Sequence, residues 1–78
     1  MGKAVLLLNS NEEKIETFIY NLKHLRNLKK LTQQEIANFL HIERSTYTKY
    51  ETGDATPSIY LLNELANFYN CSMDDFFK

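Results

Sequence analysis

The sequence predicts an all-α domain of five short helices. Apolar residues recur at helical spacing, as in Ile15, Phe18, Ile19, Leu22 and Leu25. A Ser or Thr stands three residues ahead of a carboxylate at Ser10/Glu13, Thr32/Glu35 and Ser72/Asp75, the pattern of a helix start. After residue 10 there is no strand-length alternation, repeat or low-complexity tract.

The elements follow in order. Residues 1–10 are an extension, and residues 11–78 the domain proper. The first helix is expected from about Asn11 to Lys29, opened by Ser10 and Glu13. Thr32 and Glu35 open a short second helix through Leu40, with Ile36, Ala37 and Leu40 facing inward. Arg44 to Thr52 read as a third helix, stopped by Gly53. A loop, Gly53 to Thr56, leads to Pro57, which suits the first turn of a fourth helix burying Ile59, Leu62, Leu65, Ala66 and Tyr69. Asn70 tolerates the left-handed conformation that ends helices, and a last capped turn carries Met73, Phe76 and Phe77.

Composition narrows the functional classes. At 78 residues the chain is one domain with a modest core. Its 44% apolar and 24% charged content is that of a folded protein and not a disordered one. A single cysteine, Cys71, excludes an intrachain disulfide, and with His24 and His41 gives no metal-site spacing. The only glycines, Gly2 and Gly53, cannot form a phosphate loop. No enzyme, metal, cofactor or small-molecule ligand is expected. The longest apolar run, Ala4 to Leu8, is far too short to span a membrane and too short for a signal peptide, so the expected compartment is the cytoplasm.

Net charge is −1, which argues against binding nucleic acid by overall charge. Its distribution points elsewhere. From Lys23 to Glu51 six bases face three acids, and from Gly53 onward four acids face only Lys78. A positive middle with a negative tail is the form a local polyanion footprint takes on a near-neutral protein.

The second and third helices, joined by about three residues at His41–Glu43, form a helix-turn-helix candidate. Four stretches, Leu31-Thr-Gln-Gln-Glu-Ile-Ala37, Ile42-Glu-Arg-Ser-Thr-Tyr-Thr-Lys-Tyr-Glu-Thr-Gly53, Pro57-Ser58 and Ser72-Met-Asp-Asp-Phe-Phe77, resemble the Cro/cI-type family of phage-repressor-like DNA-binding domains. The resemblance runs from about Phe18 to Phe77. It implies a five-helix lambda-repressor-like fold whose third helix enters the major groove of double-stranded DNA, with the protein a homodimer on a palindromic operator. The function it implies is a bacterial or phage transcriptional regulator, in the first instance a repressor. The rival is a protein-interaction module, such as an antitoxin or bridging subunit, that uses the motif as a scaffold.

The third helix agrees with that implication. At 100° per residue, Arg44, Ser45, Thr48, Lys49 and Thr52 share one stripe, and Tyr47 and Tyr50 the opposite one. A face of hydrogen-bonding side chains without aliphatics suits base edges and phosphates, although an ordinary solvated face has the same look. Arg44 is the leading base reader, because its fork matches guanine O6 and N7. Ser45, Thr48 and Lys49 are the other candidate base contacts. Gln33 matches the family position that grips the DNA backbone at a helix N-terminus. Thr46, Thr52, Lys29, Lys30 and Tyr50 are candidate phosphate contacts, with a helix C-terminus favouring cations the alternative for the two lysines. Arg26 and Glu51 occupy positions that pair in the family, and a structural role is preferred for them. Cys71, where the family has a small apolar residue, reads as core packing.

Three departures stand out. Lys30 and His41 replace glycines of left-handed turns, at about 1 kcal/mol each. Glu43 stands where a Ser or Thr cap is usual; a carboxylate there repels phosphate unless it accepts from a cytosine amino group. Residues 1–10 lie outside the family pattern. Val5 to Leu8 is expected to be buried, either in a two-stranded β arm across a dimer axis or against its own first helix, unless the segment is simply a frayed terminus.

Overall fold

The described residues form four α-helices and a closing 3₁₀ helix: α1 (Gly2–Leu28), α2 (Gln33–Leu40), α3 (Arg44–Thr52), α4 (Ile59–Tyr69) and the 3₁₀ helix Met73–Phe77. The structure, a computed structural model, describes the backbone of residues 2–78 and the side chains of residues 11–78. Among the described residues there is no strand.

The first helix corrects the expectation for the N-terminus. It runs 27 residues through Ser10 and Glu13, which therefore sit inside a helix and do not open one. The backbone from residue 2 to 10 is helical, so the β arm is not formed. The physical reason is continuity: between Lys3 and Leu28 no proline or glycine removes a donor or frees the backbone, and the Asn-Ser-Asn stretch costs only a few tenths of a kcal/mol per residue in a helix. Burial of the Val5–Leu8 side chains lies outside the described residues. Residues 11–16 are all exposed, Ile15 to 45%, contrary to the inward face expected of it. Burial on α1 begins with Phe18 and Leu22.

The core joins every element. Phe18 and Leu22 of α1 meet Ile36, Ala37 and Leu40 of α2, Tyr47 and Tyr50 of α3, Leu65, Ala66 and Tyr69 of α4, and Phe76. Phe18 packs on Phe76 and stacks on Phe77, with ring centroids 5.8 and 5.7 Å apart. Asn21 donates from Nδ2 to the Phe76 carbonyl at 2.8 Å, which ties the last turn to α1.

Helix ends follow local chemistry. Thr32 and Glu35 form the reciprocal capping box, Thr32 Oγ1 accepting from the Glu35 amide and Glu35 Oε1 from the Thr32 amide. Ser58, not Pro57, opens α4: its hydroxyl accepts from the Leu61 amide, leaving Pro57 one residue ahead of the cap. The helix then buries Leu65, Ala66 and Tyr69, half-buries Leu62, and leaves Ile59 75% exposed, against expectation. Lys30, His41 and Asn70 adopt φ of 56°, 58° and 56°. Gly53 has φ 85°, where an L side chain is strained, so the backbone requires glycine; a Cβ there would also lie 2.9 Å from Ile19 Cδ1, the movable tip of that side chain.

Candidate nucleic-acid interface

The geometry begins with Glu51, the one buried charged residue among those described. Arg26 grips its carboxylate with two donors, Nε to Oε2 at 2.6 Å and Nη2 to Oε1 at 3.0 Å. The remaining guanidinium nitrogen, Nη1, donates to the Leu31 carbonyl at 2.8 Å and fixes the connection between α1 and α2. Tyr47 donates its hydroxyl to Oε2 from one turn earlier on α3, and Gln33 donates Nε2 to Oε1 at 3.0 Å from the first position of α2. One carboxylate thus joins α1, α2 and α3, and sets the angle at which α3 leaves the body.

Burial alone pushes the Glu51 carboxyl up, but the hydrogen bonds from Arg26, Tyr47 and Gln33 outweigh it and hold the group below the usual carboxylate range. Burial, with the Glu51 hydrogen bond behind it, raises the Tyr47 phenol well above its ordinary value. Tyr69, buried with no partner for its hydroxyl among the described residues, is pushed up to about 12, mainly by desolvation. The signs give a stability window. A depressed carboxyl contributes fully above its unfolded value of about 4.3, and that contribution is lost as pH falls through it toward the folded value. Raised phenols contribute fully below about 10 and lose it as pH rises from there, for Tyr69 toward about 12. Thermal unfolding followed across pH is expected to show a plateau from about 5 to 9 with a fall on both sides. A Tm that climbed above pH 10 would contradict the assignment of the tyrosines.

The outer face of α3 carries what the core does not take. Arg44, Ser45 and Lys49 are exposed, Thr46 is half-buried, and Tyr50 is buried apart from its rim. Three of the expected contacts are already engaged. The Thr48 hydroxyl lies 2.9 Å from Gln33 Oε1 and 2.9 Å from the Arg44 carbonyl, and has one proton for both. With Nε2 on Glu51 and Oε1 on Thr48, the Gln33 amide is oriented between α2 and α3. The Thr52 hydroxyl faces the Asp54 carboxylate at 2.9 Å, placing an acid beside a candidate phosphate donor. Lys29 and Lys30 are exposed where α1 ends. The Gln33 bridge was missed in the sequence; its signal was the i, i+3 spacing of Thr48 and Glu51 on the side of α3 that meets the start of α2.

A family profile for helix-turn-helix domains matches residues 22–76. The chain belongs to the Cro/cI-type helix-turn-helix family. Within that family it is 43% identical over 61 residues to the HTH-type transcriptional regulator YqaE of Bacillus subtilis strain 168, covering 78% of this chain and 53% of that protein. It is 35% identical over 52 residues to the cryptic phage CTXphi transcriptional repressor RstR of Vibrio cholerae, covering 67% and 47%. The crystal structure of a transcriptional regulator from Listeria innocua superposes with a TM-score of 0.73 at 30% identity, over 77% of this chain and 56% of the other. The chain spans about half the length of these relatives. The match begins at Leu22, so most of α1 precedes it. Among the described residues no helix is long and apolar enough to cross a membrane.

Proposed function

We propose that this helix-turn-helix chain is a sequence-specific DNA-binding transcriptional regulator, a repressor, that holds a palindromic operator as a homodimer with α3 in the major groove. The observation that carries the reading is the division of α3 between two tasks. Tyr47, Tyr50 and Glu51 are buried and bolt the helix to the body, while Arg44, Ser45 and Lys49 stand free on the other side. A rigid helix with an outward donor face suits base-edge recognition.

In this reading Arg44, Ser45 and Lys49 reach base edges, and Thr48 contributes its methyl, which can pack on thymine. Lys29, Lys30, Thr46 and the Tyr50 hydroxyl hold phosphates, with the first amides of α2 around Gln33. Thr52 joins them when its hydroxyl turns from Asp54. The repressor role is supported by the relative from Vibrio cholerae, which is named a transcriptional repressor. Selection of bound duplexes from a random pool tests the function. The expected product is a palindrome with half-site centres about 10 base pairs apart. A single unrepeated half-site would remove the homodimer, and no enrichment would remove sequence-specific recognition.

The second reading, an interaction module built on the same scaffold, draws on exposed Ile59 and Tyr60 at the start of α4. It also draws on a small apolar groove lined by Ile15, Phe18, Pro57, Leu62 and Phe77. A module of this kind would bind its protein partner without salt-dependent affinity for duplex DNA.

A further inference from the structure

Glu43 is the N-cap of α3, with extended backbone at φ −69° and ψ 145°, yet its side chain makes no capping hydrogen bond. At the other capped starts the hydroxyls of Thr32, Ser58 and Ser72 each accept an amide. Glu43 is exposed, and among the described residues its carboxylate forms no ion pair, even with the adjoining Arg44. The turn His41-Ile42-Glu43 is anchored from behind by the Ile42 amide on the Ala37 carbonyl at 3.0 Å. An unengaged acceptor therefore stands on fixed backbone at the leading end of the donor face.

Against phosphates such a carboxylate is unfavourable, because like charges repel. Base edges in the major groove offer it two donors, cytosine N4 and adenine N6. Adenine sets its N7 acceptor beside N6, which faces a carboxylate with a second lone pair. Cytosine sets no acceptor beside N4, and its partner guanine presents O6 and N7, the pair of acceptors that an arginine fork matches. Consecutive Glu43 and Arg44 thus bring one acceptor and one donor fork to neighbouring base edges.

We infer that Glu43 determines specificity by accepting from the N4 amino group of a cytosine adjoining, or paired with, the guanine read by Arg44. The inference rests on the proposed docking of α3 in the major groove. Wild type, Glu43→Gln and Glu43→Ala are each carried through selection from a random duplex pool. Each is then titrated by anisotropy on the wild-type product and on that duplex altered at the cytosine. Wild type should select cytosine at one fixed position per half-site and lose about tenfold in affinity when it is replaced. Glu43→Gln should move the preference to adenine, whose N6 and N7 suit a carboxamide. Glu43→Ala should lose preference there while still selecting the guanine. If Glu43→Ala selects the same cytosine and binds every duplex more tightly by one common factor, the carboxylate only repels and the inference is overturned. Wild type that selects no sequence would instead overturn the docking of α3 itself, a distinguishable result. Circular dichroism should show the variants folded, since among the described residues the Glu43 side chain has no hydrogen-bond partner to lose.

Discussion

Replacing Glu51 by alanine is expected to remove about 3–5 kcal/mol of folding stability, most of what a domain this small possesses. The size follows from what the carboxylate holds. It is 4% exposed and accepts from Arg26 twice, from Tyr47 and from Gln33. Alanine leaves a guanidinium, a phenol and an amide without their acceptor, and each carries its own desolvation penalty. Glu51→Gln keeps the volume but not the charge and should lie between alanine and wild type. Urea unfolding followed by far-ultraviolet circular dichroism measures both. A loss under about 1 kcal/mol for alanine would place the pair with ordinary exposed ion pairs and remove its role in setting the α3 angle.

Arg44→Ala should do the opposite: leave the fold intact and weaken specific DNA binding by about 1–3 kcal/mol. Arg44 is exposed at the first position of α3 and its side chain bonds to no other described residue, so folding loses little with it. The loss should fall mainly on one base pair per half-site, where preference relaxes. Titrations on the selected operator and on random duplexes separate the roles. Equal losses on both would make Arg44 a phosphate contact, the behaviour expected instead of Lys29 or Lys30.

Much of the fold was legible because local chemistry and packing agree in the segment from Thr32 to Gly53. The Thr32/Glu35 box, the inward Ile36, Ala37 and Leu40, and Gly53 in the left-handed region each report one element without help from distant residues. Where context decided, the sequence misled. Ser10 and Glu13 have the form of a helix start, but a cap is formed only where the helix ends, and nothing before Ser10 ends it. Ile15 and Ile59 fit helical apolar spacing, yet Ile15 stays 45% exposed, and α4 turns Ile59 outward, 75% exposed. Spacing states which residues share a face, and only tertiary contact states which part of that face is covered.

For the site, the Arg26–Glu51 pair followed from the family resemblance, and the two faces of α3 from helical period. The engagement of Gln33 with Glu51 and Thr48 did not, because it depends on the approach of α2 to α3 and not on either sequence alone. The consequence is functional. Gln33, offered as a DNA contact by its family position, and Thr48, offered by its place on the α3 stripe, are hydrogen-bonded to each other, and Gln33 also to Glu51. The unengaged groups at the head of α3 are Glu43, Arg44 and Ser45.

The salt dependence of affinity tests the central claim most directly, that the outer face of α3 and the cations beside it bind duplex DNA. Exposed Lys29 and Lys30 beside the phosphates, with Arg44 and Lys49 bringing further positive charge into the groove, allow about two or three cationic contacts per subunit, hence charge neutralisation equivalent to about four to six phosphates in a homodimer. Anisotropy titrations of the selected duplex at increasing potassium chloride should give a log–log slope of about −4 to −5. A slope near zero would contradict DNA binding by this face and leave the helix-turn-helix as a scaffold for a protein partner.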